Sequence, residues 1–175
     1  MRVVVWVTES TWSACVDAAR VWAPADAEVQ LLHVTGDDVA AAAHGAFAGL
    51  LGRAHSHGRD PGERVEALAA TAARELLAAA ASRLGRAAAS TERHGRVEHE
   101  VVRAATDADL LICARDGDRT RTGPHSLAPP TRFVVDHAPC PVLLIWPEAP
   151  TGDPLPPPPP HGPPHPPAGP PPPPH

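Results

Sequence analysis

Lysine, asparagine and tyrosine are absent from this 175-residue chain, and its single methionine is the first residue. Without lysine there is no Schiff-base amine, no lysine general base and no phosphate loop of the G-x-x-x-x-G-K-[ST] kind. Cysteine is scarce: Cys15, Cys113 and Cys140 stand far apart. An odd, scattered set suits a reducing cytoplasm better than a disulfide framework. The formal charge is −5 with neutral histidines, and no long basic run exists, which argues against a nucleic-acid partner. The opening MRVVVWVTES is too short an apolar run for a signal peptide, and no segment is long enough to span a membrane.

What is abundant is alanine, arginine, glycine and proline. Proline is concentrated after Pro147, where the chain ends PLPPPPPHGPPHPPAGPPPPPH. Such a composition cannot bury a core and favours extended polyproline II. The expected organisation is therefore one α/β domain over residues 1–147 and a disordered proline- and histidine-rich tail over 148–175.

Within the domain, Arg2 to Val7 is continuously apolar and β-branched, the pattern of a strand covered on both faces. Ser10 or Thr11 is placed to cap a helix whose buried face would be Trp12, Cys15, Val16, Ala19 and Trp22, with Pro24 as its stop. Glu28 to Val34 is a second strand, and Thr35 to Arg59 an excursion over the carboxyl edge of the sheet. Asp60-Pro61-Gly62-Glu63 is a helix start, with Asp as N-cap, Pro at N1 and Glu at N3. That helix is expected to bury Val65, Leu68, Ala72, Leu76, Ala80 and Leu84, and to end with Gly85 at C′. A polar edge strand at Ser90 to His94, a helix from Arg96, a buried strand at Asp109 to Ala114, a short helix from Thr131 to Ala138 and a last strand from Cys140 to Trp146 follow. Alternating strands and helices imply a doubly wound parallel sheet with right-handed crossovers.

Few side chains suggest chemistry. Cys140 and His137 stand at a helix-to-strand junction between Pro139 and Pro141, a setting for a packed cysteine entering a strand. No recognisable triad forms from Ser10, Asp17 and the scattered histidines. His55 and His57, with His44, lack a Cys or carboxylate partner at ligand spacing, so no metal site is expected. His33 alternates with apolar neighbours and reads as a satisfied, partly buried histidine. In the tail, His161 and His165 point in different directions on a three-residue-per-turn rod, which is poor preorganisation for chelation. The tail's P-x-x-P runs suit a protein partner with an aromatic groove.

Four pieces, VWVTESTWSACVDAA, LLHV, ADLLICARDG and HAPCPVLLIW, resemble the universal stress protein family in order and spacing, over roughly Arg2 to Trp146. The resemblance implies a five-stranded parallel sheet in the order 3-2-1-4-5, in members that often form homodimers through the last strand, here Val142, Leu143, Leu144, Ile145 and Trp146. Unpaired, that apolar edge would invite aggregation. Some members bind ATP and others do not. In binding members the nucleotide sits between strands one and four, where strand order reverses.

The resemblance places the candidate nucleotide or anion cleft at Thr8, Glu9, Ser10 and Val34, with Ala114, Arg115, Gly117, Gly123, Ser126 and Thr131. Binding members carry G-x2-G-x9-G-[ST] after strand four. Here Ala114 stands at the first glycine, Gly117 matches the second, the spacing slips by one residue, and Ala128-Pro129 replaces the final pair. Pro129 and Pro130 remove backbone N–H groups where a helix start would offer them to phosphate. Thr8 has no carboxylate for a ribose or base, and Glu9 brings a negative charge to the pocket mouth. Against this, Arg115, Arg119 and Arg121 bring positive charge, while Asp116 and Asp118 interleave with them as in a solvated loop. The expectation is a non-catalytic cytoplasmic stress or signalling protein with no cofactor and weak or lost nucleotide binding. Its alternative is an adenine-nucleotide binder that takes ATP or AMP in this cleft.

Overall fold

The computed structural model describes residues 1–36, 61–117 and 127–147, with the side chains of 61–63 and 66 excepted. Five strands form one sheet: β1 (Arg2–Trp6), β2 (Glu28–Thr35), β3 (Ala89–His94), β4 (Leu110–Ala114) and β5 (Val142–Ile145). Its order is β3-β2-β1-β4-β5, and every pairing is parallel. The helices are α1 (Trp12–Trp22), α2 (Pro61–Leu84), α3 (Val97–Ala104) and α4 (Pro129–His137). The doubly wound architecture is the one that the alternation of elements implied, and the strand order is the one that the resemblance implied. The 35–59 excursion lies outside the described residues from position 37 onward, as does the tail.

The unbroken apolar run of β1 has a direct cause, because both faces of the sheet are covered. Val3, Val5 and Val7 join Val29, Leu31 and Ile112 beneath α1 and α2. Val4 and Trp6 join Leu32, Leu111 and Cys113 beneath α3 and α4, with Val101 and Val134 as the helical contribution. Central β1 and β4 are therefore inaccessible, while edge strands β3 and β5 are only partly covered.

Two helix faces differ from expectation. In α1 the buried stripe is Cys15, Val16 and Ala19 and continues to Ala23, whereas Trp22 is 65% exposed. Ala23 lies four residues beyond Ala19, so it continues the stripe and turns Trp22 away from the sheet. In α2 the buried stripe is Ala73, Leu77, Ala80 and Leu84, and Leu68 is 70% exposed. Ala72 is exposed and Val65 half-buried. Alanines surround this helix on all sides, so apolar periodicity leaves its rotation poorly determined. Its amino-terminal turns also have no fully buried residue among those described, which leaves the expected positions there without a core to face. The expected end holds: Gly85 has φ +70° and donates its N–H to Ala81, the left-handed C′ position that glycine adopts without a Cβ penalty. The expected start at Pro61 also holds, and Asp60 lies outside the described residues.

A bidentate ion pair locks α1 to α2. Arg83 Nε and Nη2 donate to the two Asp17 carboxylate oxygens at 2.8 and 2.6 Å, and the guanidinium lies 6.0 Å from the Trp12 ring centroid. Arg83 holds the Asp17 carboxyl below its ordinary value of 3.8. A carboxyl lowered on folding stabilises the fold above its unfolded value, and that stabilisation is lost as pH falls through the folded value.

Two outcomes follow for denaturant unfolding. Leu77→Ala lowers stability by about 2–4 kcal/mol, while Leu68→Ala changes it by less than about 0.5 kcal/mol. Arg83→Gln unfolds more easily than the parent at neutral pH, and the difference disappears in strong acid, where Asp17 is protonated in both proteins.

Candidate functional site

The carboxyl ends of β1 and β4 lie side by side where the connections diverge to opposite sides of the sheet, the crevice position of an open α/β fold. On the β1 side, Val7 continues the strand by donating its N–H to the Leu32 carbonyl at 2.8 Å. His33 Nδ1 lies 2.9 Å from the Val7 carbonyl oxygen, so this nitrogen is the donor and fixes the strand's exit. The partly buried, satisfied histidine expected at this position is present.

The chain then turns. Thr8 accepts backbone hydrogen bonds from Thr11 and Trp12 at 3.2 and 2.9 Å. Thr8 and Thr11 hydroxyl oxygens are 2.6 Å apart, and Thr11 is 4% exposed. Thr11 is the N-cap residue of α1, but its side chain makes no capping bond and faces Thr8 instead. Ser10 and Glu9 are exposed. Val34, at the end of β2, is buried on the α3/α4 side.

On the β4 side, Ala114 is buried and Arg115 donates its N–H to the Ile145 carbonyl at 2.9 Å. The Arg115 side chain is 8% exposed, and its guanidinium lies 5.7 Å from the Trp146 ring centroid. Gly117 is half-buried. Gly123 and Ser126 lie outside the described residues, together with Arg119, Arg121 and His125.

Asp116 makes the connection that sequence reasoning missed. One carboxylate oxygen accepts the Ala128 N–H at 3.0 Å and the other accepts the Thr131 hydroxyl at 2.8 Å. Thr131 is fully buried. The local reason lies in α4 itself. Its N-cap, Ala128, has no side-chain oxygen, and Pro129 and Pro130 supply no N–H. The remaining polar groups at this helix start find their acceptor on the β4 exit. The negative charge also suits the positive end of the helix dipole. In the sequence Asp116 is one of two acids among arginines. The signal that points to it is an N-cap unable to cap, followed by a buried hydroxyl.

The charge of Asp116 reaches the thiols below. Burial first, then Asp116, pushes Cys113 up to about 12. Burial first, then Cys113, pushes Cys15 up to about 12, opposed by a hydrogen bond from Thr11 and reinforced by Asp116. Burial also raises Cys140. All three are poor nucleophiles at neutral pH. Among the described residues no group of three or more His, Cys, Asp or Glu side chains is placed to hold a metal, and no helix is long and apolar enough to cross a membrane.

No curated protein matches the chain by sequence. Among solved structures it is similar to hypothetical protein MJ0577, with a TM-score of 0.62 and 15% identity over 85% of this chain and 96% of that one. A universal stress protein in complex with cAMP aligns with a TM-score of 0.57 and 15% identity, covering 85% and 98% of the two chains. Hypothetical protein PH0823 aligns at 0.55 and 18%, covering 85% and 96%. At these identities the likeness is one of fold. The family model described as "Universal stress protein family" matches residues 1–145. The chain belongs to the universal stress protein family.

Proposed function

We propose that this chain is a non-catalytic stress-response or signalling protein whose cleft binds adenine nucleotides weakly or not at all. The bridge from Asp116 to Ala128 and Thr131 carries this reading. A helix start attracts phosphate through free N–H groups and a positive dipole end. Here prolines remove two of those groups, and a carboxylate of the chain itself takes one backbone N–H and the buried hydroxyl. A phosphate brought to the same place would meet a fixed negative charge at close range. The donor set therefore fits an internal carboxylate better than a triphosphate. The raised thiols of Cys15, Cys113 and Cys140 favour a non-catalytic role.

The second reading is an adenine-nucleotide binder. The paired hydroxyls of Thr8 and Thr11, the buried Arg115 beside the crevice and the similar structure in complex with cAMP favour it. In either case the chain works in the cytoplasm as a homodimer through the outer edge of β5, whose residues are only half-buried in one chain. The tail is left to a protein partner.

Equilibrium titration with ATP, ADP, AMP and cAMP in the presence of Mg²⁺ is expected to show no saturation at micromolar ligand, and no rise in Tm at the same concentrations. Saturable micromolar binding of any of the four selects the second reading. Independently of ligand, Asp116→Ala lowers stability by about 1–2 kcal/mol through loss of the helix-start acceptor. Combined with Thr131→Val it costs less than the sum of the two single changes, because both remove one contact. Additive losses in the double-mutant cycle sink the bridging role.

A further inference from the structure

The sheet has two edges, and they differ in what they offer. On β5, the Pro141 and Ile145 carbonyls accept the N–H groups of Leu111 and Arg115, both at 2.9 Å. Backbone groups alternate sides along a strand, so Pro141, Leu143 and Ile145 face β4. Val142, Leu144 and Trp146 therefore point their N–H and C=O groups outward. Pro141 has no N–H, but it belongs to the inward set, so the outer donors are intact. No charged side chain lies between Val142 and Trp146, and Trp146 is 52% exposed.

The other edge is guarded. Gly95 donates its N–H to the Thr35 carbonyl at 3.1 Å, which turns Ser90, Glu92 and His94 outward on β3. All three carry polar side chains, and Glu92 Oε1 lies 3.5 Å from His94 Nε2. Charged edges of this kind resist pairing, whereas apolar ones invite it.

We propose that β5 pairs antiparallel with β5 of a second copy in one register, with Leu144 opposite Leu144 and Val142 opposite Trp146. This pairing rests on the homodimer reading above and specifies it. A two-fold axis relating identical edges makes the strands antiparallel. With Leu144 at the axis, every outward residue from Val142 to Trp146 has a partner, and each pair exchanges both hydrogen bonds. An axis at Leu143 pairs Trp146 with Cys140, which lies in the bend before β5. An axis at Ile145 leaves Val142 beyond the other strand's Trp146. The register also sets the indole beside Val142 of the second copy, an aromatic–β-branched pair across the strands, with Arg115 at 5.7 Å from the same ring. The joined sheet ends in β3 on both sides, so assembly stops at the dimer.

Amide hydrogen exchange by NMR on the full chain, beside light scattering, tests the pairing. In the dimer the Val142, Leu144 and Trp146 amides are expected to exchange at least about tenfold more slowly than unbonded, exposed amides. Under mild oxidation, Leu144→Cys in a Cys140→Ala background is expected to form a disulfide-linked dimer, because opposed Cα atoms about 5.5 Å apart lie within disulfide reach. Leu143→Cys in the same background does not link, since its two copies lie beyond the roughly 7 Å that a disulfide spans. A monomer at every concentration removes the homodimer reading and the pairing together. A dimer whose Val142, Leu144 and Trp146 amides exchange freely keeps the homodimer and overturns the pairing. Linking through Leu143→Cys instead overturns the register, and assemblies larger than a dimer overturn the guarded β3 edge.

Discussion

A carboxylate from the end of one strand supplies the start of the next helix. Asp116 accepts from Ala128 and Thr131, and by doing so joins the exit of β4 to α4 across a connection that the prolines would otherwise leave short of polar partners. The consequences spread outward from that bridge. Thr131 is anchored in the core by its hydroxyl, and Val134, one turn further along, packs under the sheet face shared by β1, β2 and β4. From there α4 leads to β5, whose backbone completes β4 by accepting the Arg115 N–H. The same contact that positions the last helix and strand places a fixed negative charge beside the crevice. One side chain thus joins the strand exit, the helix start and the charge beside the crevice.

The fold was legible because its signals were large and redundant. A five-residue run such as Val3 to Val7, with every member apolar, is compatible with a strand covered on both faces, and the alternation of strands with helices left few topologies. Pro61 and Gly85 marked the ends of α2 through backbone restrictions that no distant contact needed to supply. Rotation of that helix was illegible for the opposite reason. Leu68 and Leu76 compete with Leu77 in a background of alanine, and the choice between those faces depends on where the sheet ends, which is information held in other segments. Trp22 was misread in the same way, since size and apolarity say nothing about whether a helix still has a sheet beneath it at its last turn.

At the cleft the sequence announced what had been removed but not what had replaced it. Pro129 and Pro130 delete donors in a way that can be read directly from residue type. That Asp116 serves as the acceptor depends on a contact across twelve positions, with residues 118–126 lying between the described parts of that loop. Thr11 illustrates the same limit at shorter range. As a hydroxyl residue before an apolar helix it reads as a cap, yet its oxygen is paired with Thr8. Local grammar identifies which atoms seek partners, and only the folded arrangement decides between the partners within reach.

Arg115 and Asp116, adjacent in the sequence, divide their contacts between two elements. Arg115 is buried with its guanidinium 5.7 Å from the Trp146 ring centroid, whereas Asp116 accepts from the start of α4. Adjacent residues leaving a strand point to opposite sides, so the positive and negative groups are separated by the geometry of β4 itself. The cation thus lies against the ring that follows β5, and the anion supports the helix start.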